Sequence, residues 1–334
     1  MRFFLTGATG FIGRHIAEEL MAEGHQVRCL ARKPERAALL ASRGAEVVAG
    51  DLADALLLRE AVKGADVVIH AAAQVGDWGA RRRFEDANVA GTRNVLDAAE
   101  ASGAERFVHV SSVAVYGRPN VKLIAETTPY GISGDAYCDT KIAAEEAVWE
   151  RHRAGRIRAT CVRPSAVYGP YDWKFIPRVV EGLRARRLPM IEGGRHAAPI
   201  VYVRDVSALV RTCARRPDAL GEVFNCVSTE GVTWRGLFDE VARLVGAPPP
   251  SRSVPYGLAF AAGAVLEALY RLVGSARPPL VTRFNATLLG TPLSYDMSKA
   301  ERVLGFRPAV TVATGLPETI AWMQAEQRQD GQAA

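Results

Sequence analysis

Two side chains able to move a proton stand four residues apart in Tyr137-Cys138-Asp139-Thr140-Lys141. The segment around them, 136–153, is predicted to be helical, and a spacing of four puts both on one helix face. A phenol with its ordinary pKa of about 10 is a poor acid–base catalyst at neutral pH. A neighbouring ammonium favours the phenolate and lowers that value. The pair can then pass a proton to or from a carbonyl or alcohol oxygen. By itself the pattern arises often by chance. Ser112 adds to it. It closes the β-like run Phe107–Val110 in Val110-Ser111-Ser112-Val113-Ala114-Val115-Tyr116-Gly117, and the C-terminal end of a strand is where open α/β sheets bind ligands. There its hydroxyl would bond the reacting oxygen; local backbone bonding by Ser111 and Ser112 is the plainer alternative. Asn88 opens Asn88-Val89-Ala90-Gly91-Thr92-Arg93-Asn94-Val95-Leu96 on a long predicted helix, 83–102. Asn is mildly unfavourable mid-helix. Bracing the site's backbone, holding a water and plain helix packing all remain open for it.

At the N-terminus the strand Arg2–Thr6 runs into Thr6-Gly7-Ala8-Thr9-Gly10-Phe11-Ile12-Gly13 and then a helix. Gly7 permits a tight turn, Gly10 lets backbone approach a pyrophosphate, and Gly13 lets helix and strand pack closely. The helix start offers free N–H groups and positive dipole. Placed after a strand and before a helix, the turn predicts a nicotinamide dinucleotide site, whose positive ring would also favour the Tyr137 phenolate. Thr9, Phe11 and Ile12 belong to the cradle, and Lys141 can hold ribose hydroxyls. The second strand, Gln26–Ala31, ends without the carboxylate that binds an NAD ribose; Ala31 is followed by Arg32 and Lys33. A guanidinium grips a 2′-phosphate, so NADP is favoured over NAD. The other reading makes Arg32 and Lys33 the start of a solvated helix. Asp51, before Leu52, either accepts from the adenine amino group or, like Asp54, caps the following helix. Ala71, Ala72 and Ala73 are small enough for backbone to run against a flat cofactor. Pro164 and Val167, in Arg163-Pro164-Ser165-Ala166-Val167-Tyr168-Gly169-Pro170, suit a loop closing over the nicotinamide.

The elements that must position these residues alternate. Beyond those named, Val47-Val48, Val67-Val68-Ile69 and Ala159–Val162 read as strands, and 35–43 and 55–63 as helices. This βαβ rhythm predicts an α/β fold, a Rossmann-type doubly wound parallel sheet covered on both faces. After about Gly169 the rhythm breaks. Ile200–Val203 and Glu222–Val227 remain strand-like, Thr233–Val245 is a helix stopped near Gly246, and Asp205 is expected to be an N-cap. The expected organisation is a dinucleotide-binding domain over 1–169 and a smaller, mostly substrate-binding domain over 170–326. Some segments of the latter return to the sheet, and a frayed tail covers 327–334. His70, His109 and His196 have no partner spacing.

Composition narrows the class. The 334 residues are 49% hydrophobic and 23% charged, with net charge +6. The positive residues are scattered among acids. The one dense cluster, Arg81-Arg82-Arg83, lacks interleaved aromatics and reads as a solvated helix start, so no nucleic acid is expected. No apolar run is long enough for a transmembrane segment, and the N-terminus reads as a strand and turn rather than a signal. Cys29, Cys138, Cys161, Cys213 and Cys226 have no metal-ligand spacing, so no metal is expected; they suit buried thiols in the cytoplasm.

The series TGATGFIG, HAAA, NVAGTRNVL, SSVAVYG, YCDTK and RPSAVYGP resembles that of the extended short-chain dehydrogenase/reductases, in the NAD-dependent epimerase/dehydratase superfamily, over about residues 1–325. The resemblance implies a Ser112–Tyr137–Lys141 triad with Asn88 as a weaker fourth member, hydride transfer to and from nicotinamide, and a homodimer built through the long helices. RPSAVYGP, the segment ending Ile200–Val206, and Asp296–Phe306 are most similar to the 3β-hydroxysteroid dehydrogenase-like and ketoreductase branch. Dehydratases of the sugar-nucleotide branch carry Asp-Glu where this chain has Val113-Ala114. Many of that branch place a diphosphate-binding Arg where it has Ala198. The resemblance therefore implies alcohol–ketone redox on a small hydrophobic substrate, a 3β-hydroxysteroid or a β-keto acid. The alternative is a nucleotide-sugar epimerase with tightly bound NAD, in which Arg195 or Arg204 would hold a phosphate. The segment 254–273, rich in Ala, Leu, Val and aromatics, reads as a lid over an apolar substrate, a peripheral membrane contact, or a core or dimer helix.

Overall fold

The computed structural model of the protein describes residues 1–117, 121–275 and 277–332. Strands β1 (Arg2–Thr6), β2 (Gln26–Ala31), β3 (Glu46–Ala49), β4 (Val67–His70), β5 (Arg106–Val110) and β6 (Ala159–Pro164) alternate with helices α1 (Phe11–Ala22), α2 (Ala38–Ser42), α3 (Ala55–Val62), α4 (Arg81–Phe84), α5 (Gly91–Ser102) and α6 (Ala136–Arg153). Beyond them lie β7 (Ala166–Tyr168), α7 (Phe175–Arg184), β8 (Met190–Ile191), β9 (Ile200–Tyr202), α8 (Val203–Arg215), β10 (Val223–Cys226), α9 (Trp234–Val245), β11 (Ser253–Val254), α10 (Tyr256–Leu272), α11 (Arg283–Gly290), α12 (Ser298–Leu304) and α13 (Val312–Gln332). The central sheet has seven strands in the order β3-β2-β1-β4-β5-β6-β10, all parallel. The order reverses direction between β1 and β4, the switch point beside which such sheets bind dinucleotides.

Successive strand residues point to opposite faces, and both faces are covered. Phe3 and Leu5 of β1, with Val67 and Ile69 of β4, join a core containing Ile16 and Leu20 of α1 and Leu209 of α8. Phe4 and Val68 point the other way, into a core with Leu58 of α3, Val95 of α5 and Val148 of α6. That two-sided burial explains why these strands are continuously apolar.

Several local expectations change. Ile200–Tyr202 is a strand, but it pairs with β7 in a separate two-stranded sheet. The segment 35–43 is a 3₁₀ turn, Pro34–Ala37, followed by the short α2. The long helix begins at Arg81 and is interrupted by a π-helical turn, Glu85–Ala90, before α5. Asp205 does not cap α8. It lies inside the helix, and its carboxylate accepts from the amides of Ala309 and Val310 at 2.9 and 3.1 Å, so it fastens the chain leading into α13. Within 327–334, where a frayed tail is expected, the backbone is helical to Gln332, and residues 333–334 lie outside the described residues.

Candidate active site

The glycine turn is fixed by close packing. Gly7 has φ 80°, and a Cβ there would stand 2.6 Å from the Ala72 amide nitrogen. A Cβ on Gly13 would stand 2.2 Å from the Gly7 carbonyl oxygen. Helix α1 starts at Phe11 with Gly10 as its N-cap, and no side chain bonds its first amides. Those open N–H groups and the small Ala71, Ala72 and Ala73, beside the turn at the end of β4, fit a dinucleotide pyrophosphate. Thr9 and Ile12 are half-buried in the same turn. At the end of β2, Ala31 is buried and the Arg32 side chain is 80% exposed, with Nε 3.9 Å from Asp51 Oδ2. The capping role before α3 belongs to Asp54, which accepts from the Leu57 amide; Asp51 accepts from the Ala53 amide across its own turn, with Leu52 between them. Pro164 ends β6, and Val167, the middle residue of β7, is half-buried two positions before Gly169.

Ser112, Tyr137 and Lys141 come together on the C-terminal side of β5. Asp135 caps α6 by accepting from the Cys138 amide, which sets the register of the helix carrying Tyr137 and Lys141. Ser112 caps a 3₁₀ turn, Val113–Tyr116, by accepting from the Ala114 amide at 3.1 Å, and its hydroxyl stands close enough to the Tyr137 phenol to pull it down. Lys141 is 2% exposed and donates from Nζ to the Val110 carbonyl at 2.7 Å. Burial pulls its ammonium down to about 8 against the opposing charge of Glu145. Burial pushes the Tyr137 phenol up to about 12, opposed by the Ser112 hydrogen bond. Burial is thus the largest influence on the phenol, while the Lys141 ammonium is held one helical turn away by the Val110 carbonyl.

Asn88 sits on the π-helical turn and is 1% exposed. Its amide clamps the backbone of Gln74, accepting from the nitrogen at 2.7 Å and donating to the carbonyl at 3.1 Å, and also donates to Thr140 Oγ1 at 3.1 Å. It thereby joins the loop after β4 to the helix of Tyr137, the first of its three open readings. The π turn inserts one residue into the helical register there, a feature that recurs at functional sites.

Sequence reasoning missed the partners of this clamp. His70 Nδ1 lies 2.7 Å from Thr6 Oγ1, and Nε2 lies 2.9 Å from Thr92 Oγ1, which donates to the Asn88 carbonyl. A hydrogen-bonded line thus runs from the residue before Gly7 to the helix of Tyr137. His70 is buried, and that burial, with the Lys141 charge, depresses it to about 3, so it stays neutral. Glu145, one turn after Lys141, is also new. It accepts from Arg163, Ser111, Tyr130 and Trp149, and the Glu145 and Arg163 side chains are 0% and 4% exposed. The spacing of Asn88 to Thr92 and of Lys141 to Glu145, four in each case, was the available signal. Loop 74–78 is held from the C-terminal side as well. Lys174 donates to the Val75 carbonyl, Thr282 and Asn285 to Asp77, and the Trp78 indole to the Ser275 carbonyl.

A glycine cradle at the switch point, beside a tyrosine–lysine–serine cluster, defines the dinucleotide-dependent oxidoreductases as a class. The particular family follows from comparison. The model of the NAD dependent epimerase/dehydratase family matches residues 3–226, and the chain belongs to that family. It is 34% identical over 327 residues to a 2-alkyl-3-oxoalkanoate reductase of Stenotrophomonas maltophilia, covering 95% of this chain and 97% of that protein. It is 33% identical over 320 residues to a 4-hydroxy-2-methyl-3-oxo-4-farnesyl-3,4-dihydroquinoline-1-oxide ketoreductase of Stigmatella aurantiaca, covering 95% of each. The solved structure of a dTDP-glucose 4,6-dehydratase from Streptomyces venezuelae with NAD bound superposes with TM-score 0.80 at 26% identity, over 98% of each chain. The chain is an enzyme of the dehydrogenase/reductase kind, acting on CH–OH groups with a nicotinamide cofactor.

Proposed function

We propose that the chain is an NADP-preferring ketoreductase that interconverts a secondary alcohol and a ketone on a hydrophobic substrate of the β-keto acid type. The observation that carries this reading is the Ser112 hydroxyl beside the Tyr137 phenol, with Lys141 buried one helical turn away. The nicotinamide, when bound, supplies or accepts the hydride. In reduction, Ser112 orients the carbonyl oxygen and Tyr137 gives it the phenolic proton; in oxidation the proton returns to Tyr137. With an oxidised nicotinamide held there, its positive ring and the Lys141 ammonium would both favour the phenolate and bring the phenol down toward a working acid–base. Asn88 keeps Gln74 and Thr140 in register beneath this centre.

Gly7, Gly10 and Gly13 would take the pyrophosphate, and Arg32 a 2′-phosphate; its exposed guanidinium is the support for NADP. Asp51 and Leu52 fall where the adenine would lie, and Pro164 and Val167 on the nicotinamide side. Two arginines that a sugar-nucleotide epimerase would use are already engaged, Arg195 with Glu192 and Arg204 with Glu318, and Ala198 is buried and apolar. These features favour a ketone over a sugar diphosphate, and the similarity to a 2-alkyl-3-oxoalkanoate reductase favours a β-keto acid over a 3β-hydroxysteroid. The described cysteines are all buried and free, which supports a reducing cytoplasm. For assembly, a homodimer through the long helices α5 and α6 is what the family resemblance implies.

The test is turnover. Purified protein is offered 2-alkyl-3-oxo acids, 3-hydroxysteroids and UDP-sugars with NADPH or NADH, and cofactor absorbance is followed. Oxidation of NADPH with the oxo acids is expected, with NADPH affinity falling about tenfold in Arg32→Ala. Silence across the acids and steroids overturns the reading, and sugar epimerisation without net redox replaces it.

A further inference from the structure

Helix α10 is amphipathic the wrong way round for a core helix. Ala259, Gly263 and Glu267 are its buried residues, and a Cβ on Gly263 would press on the backbone of Thr282 and Arg283, so this side lies tight against α11. The outer side carries Leu258, Ala261, Ala262, Val265, Ala268, Leu269, Leu272 and Val273, all exposed. At about 100° per residue they fill an unbroken arc of about 140° with no polar side chain in it. Leu258 is 62% exposed, Val265 60%, Leu272 83%, Val273 74%, and Leu280 beyond the helix 65%. Among the described residues, six of the fourteen exposed large hydrophobics fall between 258 and 280. Such concentration marks a contact surface rather than ordinary scatter.

Charge says what covers it. Residues 251–290 contain four arginines, Arg252, Arg271, Arg277 and Arg283, and one acid, Glu267. Glu267 is buried and satisfied by Arg283, at 2.8 Å, and by the Arg283 amide. One acid against four arginines leaves this segment a net charge of +3, and Arg271, at the C-terminal end of α10, is 64% exposed. No helix among the described residues is long and apolar enough to cross a membrane, so α10 would lie on one. A second copy fits less well. A two-fold pairing would set arginines against arginines.

We propose that α10 seats the protein on an anionic lipid surface, with its leucine and valine face in the acyl boundary and the arginines at the headgroups. The seat is joined to the mouth of the active site. Trp78 bonds Ser275, and Asp77 is held by Thr282 and Asn285, so the loop that begins at Gln74 is fastened to the lipid-facing unit. A ketone with a long alkyl chain would leave the bilayer beside that loop. The seat itself does not depend on the ketoreductase reading, and its test needs no turnover.

Flotation with vesicles of phosphatidylcholine containing a quarter phosphatidylglycerol decides it. The full chain is expected to float with these vesicles, to bind pure phosphatidylcholine several-fold less, and to be released by high salt. Leu269→Glu with Leu272→Glu is expected to cut the bound fraction at least about tenfold while circular dichroism and melting stay unchanged. Equal flotation of this variant, or no binding to the anionic vesicles, overturns the proposal. Self-association of the wild type, lost in the variant and without vesicle binding, also overturns it and assigns the face to a second copy.

Discussion

The sheet end around Tyr137 and the helix pair α10–α11 treat polarity in opposite ways. Near Tyr137 polar groups are buried and mostly paired, the His109 imidazole being an exception. Asn88, His70, Thr92, Thr140, Lys141, Glu145 and Arg163 are all nearly inaccessible, and each has bonded partners. Around α10 the leucines and valines are outside and the lone acid is inside. The first arrangement fixes atoms to fractions of an ångström at a cost in desolvation, which suits proton transfer. The second leaves apolar area uncovered, which suits a surface that something else completes. Rigidity for chemistry and adhesiveness for delivery thus occupy different parts of one chain, joined by the loop 74–78.

The sharpest way to break this contrast is at the reacting oxygen. Tyr137→Phe is expected to lower kcat/KM about 10³-fold or more, about 4 kcal/mol in transition-state stabilisation, with cofactor affinity retained. Steady-state kinetics with fluorescence titration of the cofactor measure both. Near-normal turnover would remove the phenol from the mechanism and leave the buried network as mere scaffold.

Next in size is the ion pair behind Lys141. Glu145→Ala strands the Arg163 guanidinium in the core and is expected to cost about 3–5 kcal/mol, read by urea unfolding. Burial pushes the Glu145 carboxyl up, but the Arg163 charge and the hydrogen bonds outweigh it and hold it below the ordinary range. A depressed carboxylate stabilises the fold above its unfolded pKa and loses that contribution as pH falls through the folded value. The gap between wild type and variant should hold steady from neutral pH to about pH 5 and narrow below it.

The cofactor half was largely legible because its constraints are local. Gly7 needs positive φ, Gly13 needs no Cβ, and Tyr137 and Lys141 share a face by helical period alone. The continuous apolar strands gave away a sheet buried on both sides. What escaped depends on partners far along the chain. Asp205 looks like a helix cap, yet the amides it serves belong to Ala309 and Val310, more than a hundred residues on. The π turn around Asn88 has no composition signal, since its register follows from reaching Gln74 and Thr140 together. Glu145 meets its partner Arg163 only through β6, 18 residues further along the chain. For α10, composition showed that apolar residues were present, while the direction they face was set by Gly263 and Glu267 on the opposite side.

The smallest expected effect completes the comparison. Val265→Ser removes an apolar side chain 60% exposed. If α10 were a core helix, the loss would resemble a buried truncation and cost about 1 kcal/mol or more. With that side chain already in water, the change in stability is expected to stay within about 0.5 kcal/mol, whether read by heat or by denaturant. Ala259→Ser, on the buried side of the same helix, is the matched control and is expected to destabilise, since it puts a hydroxyl at a position only 5% exposed. A large cost at Val265 would mean that the face is already covered within the chain, and the opposition between the two regions would collapse.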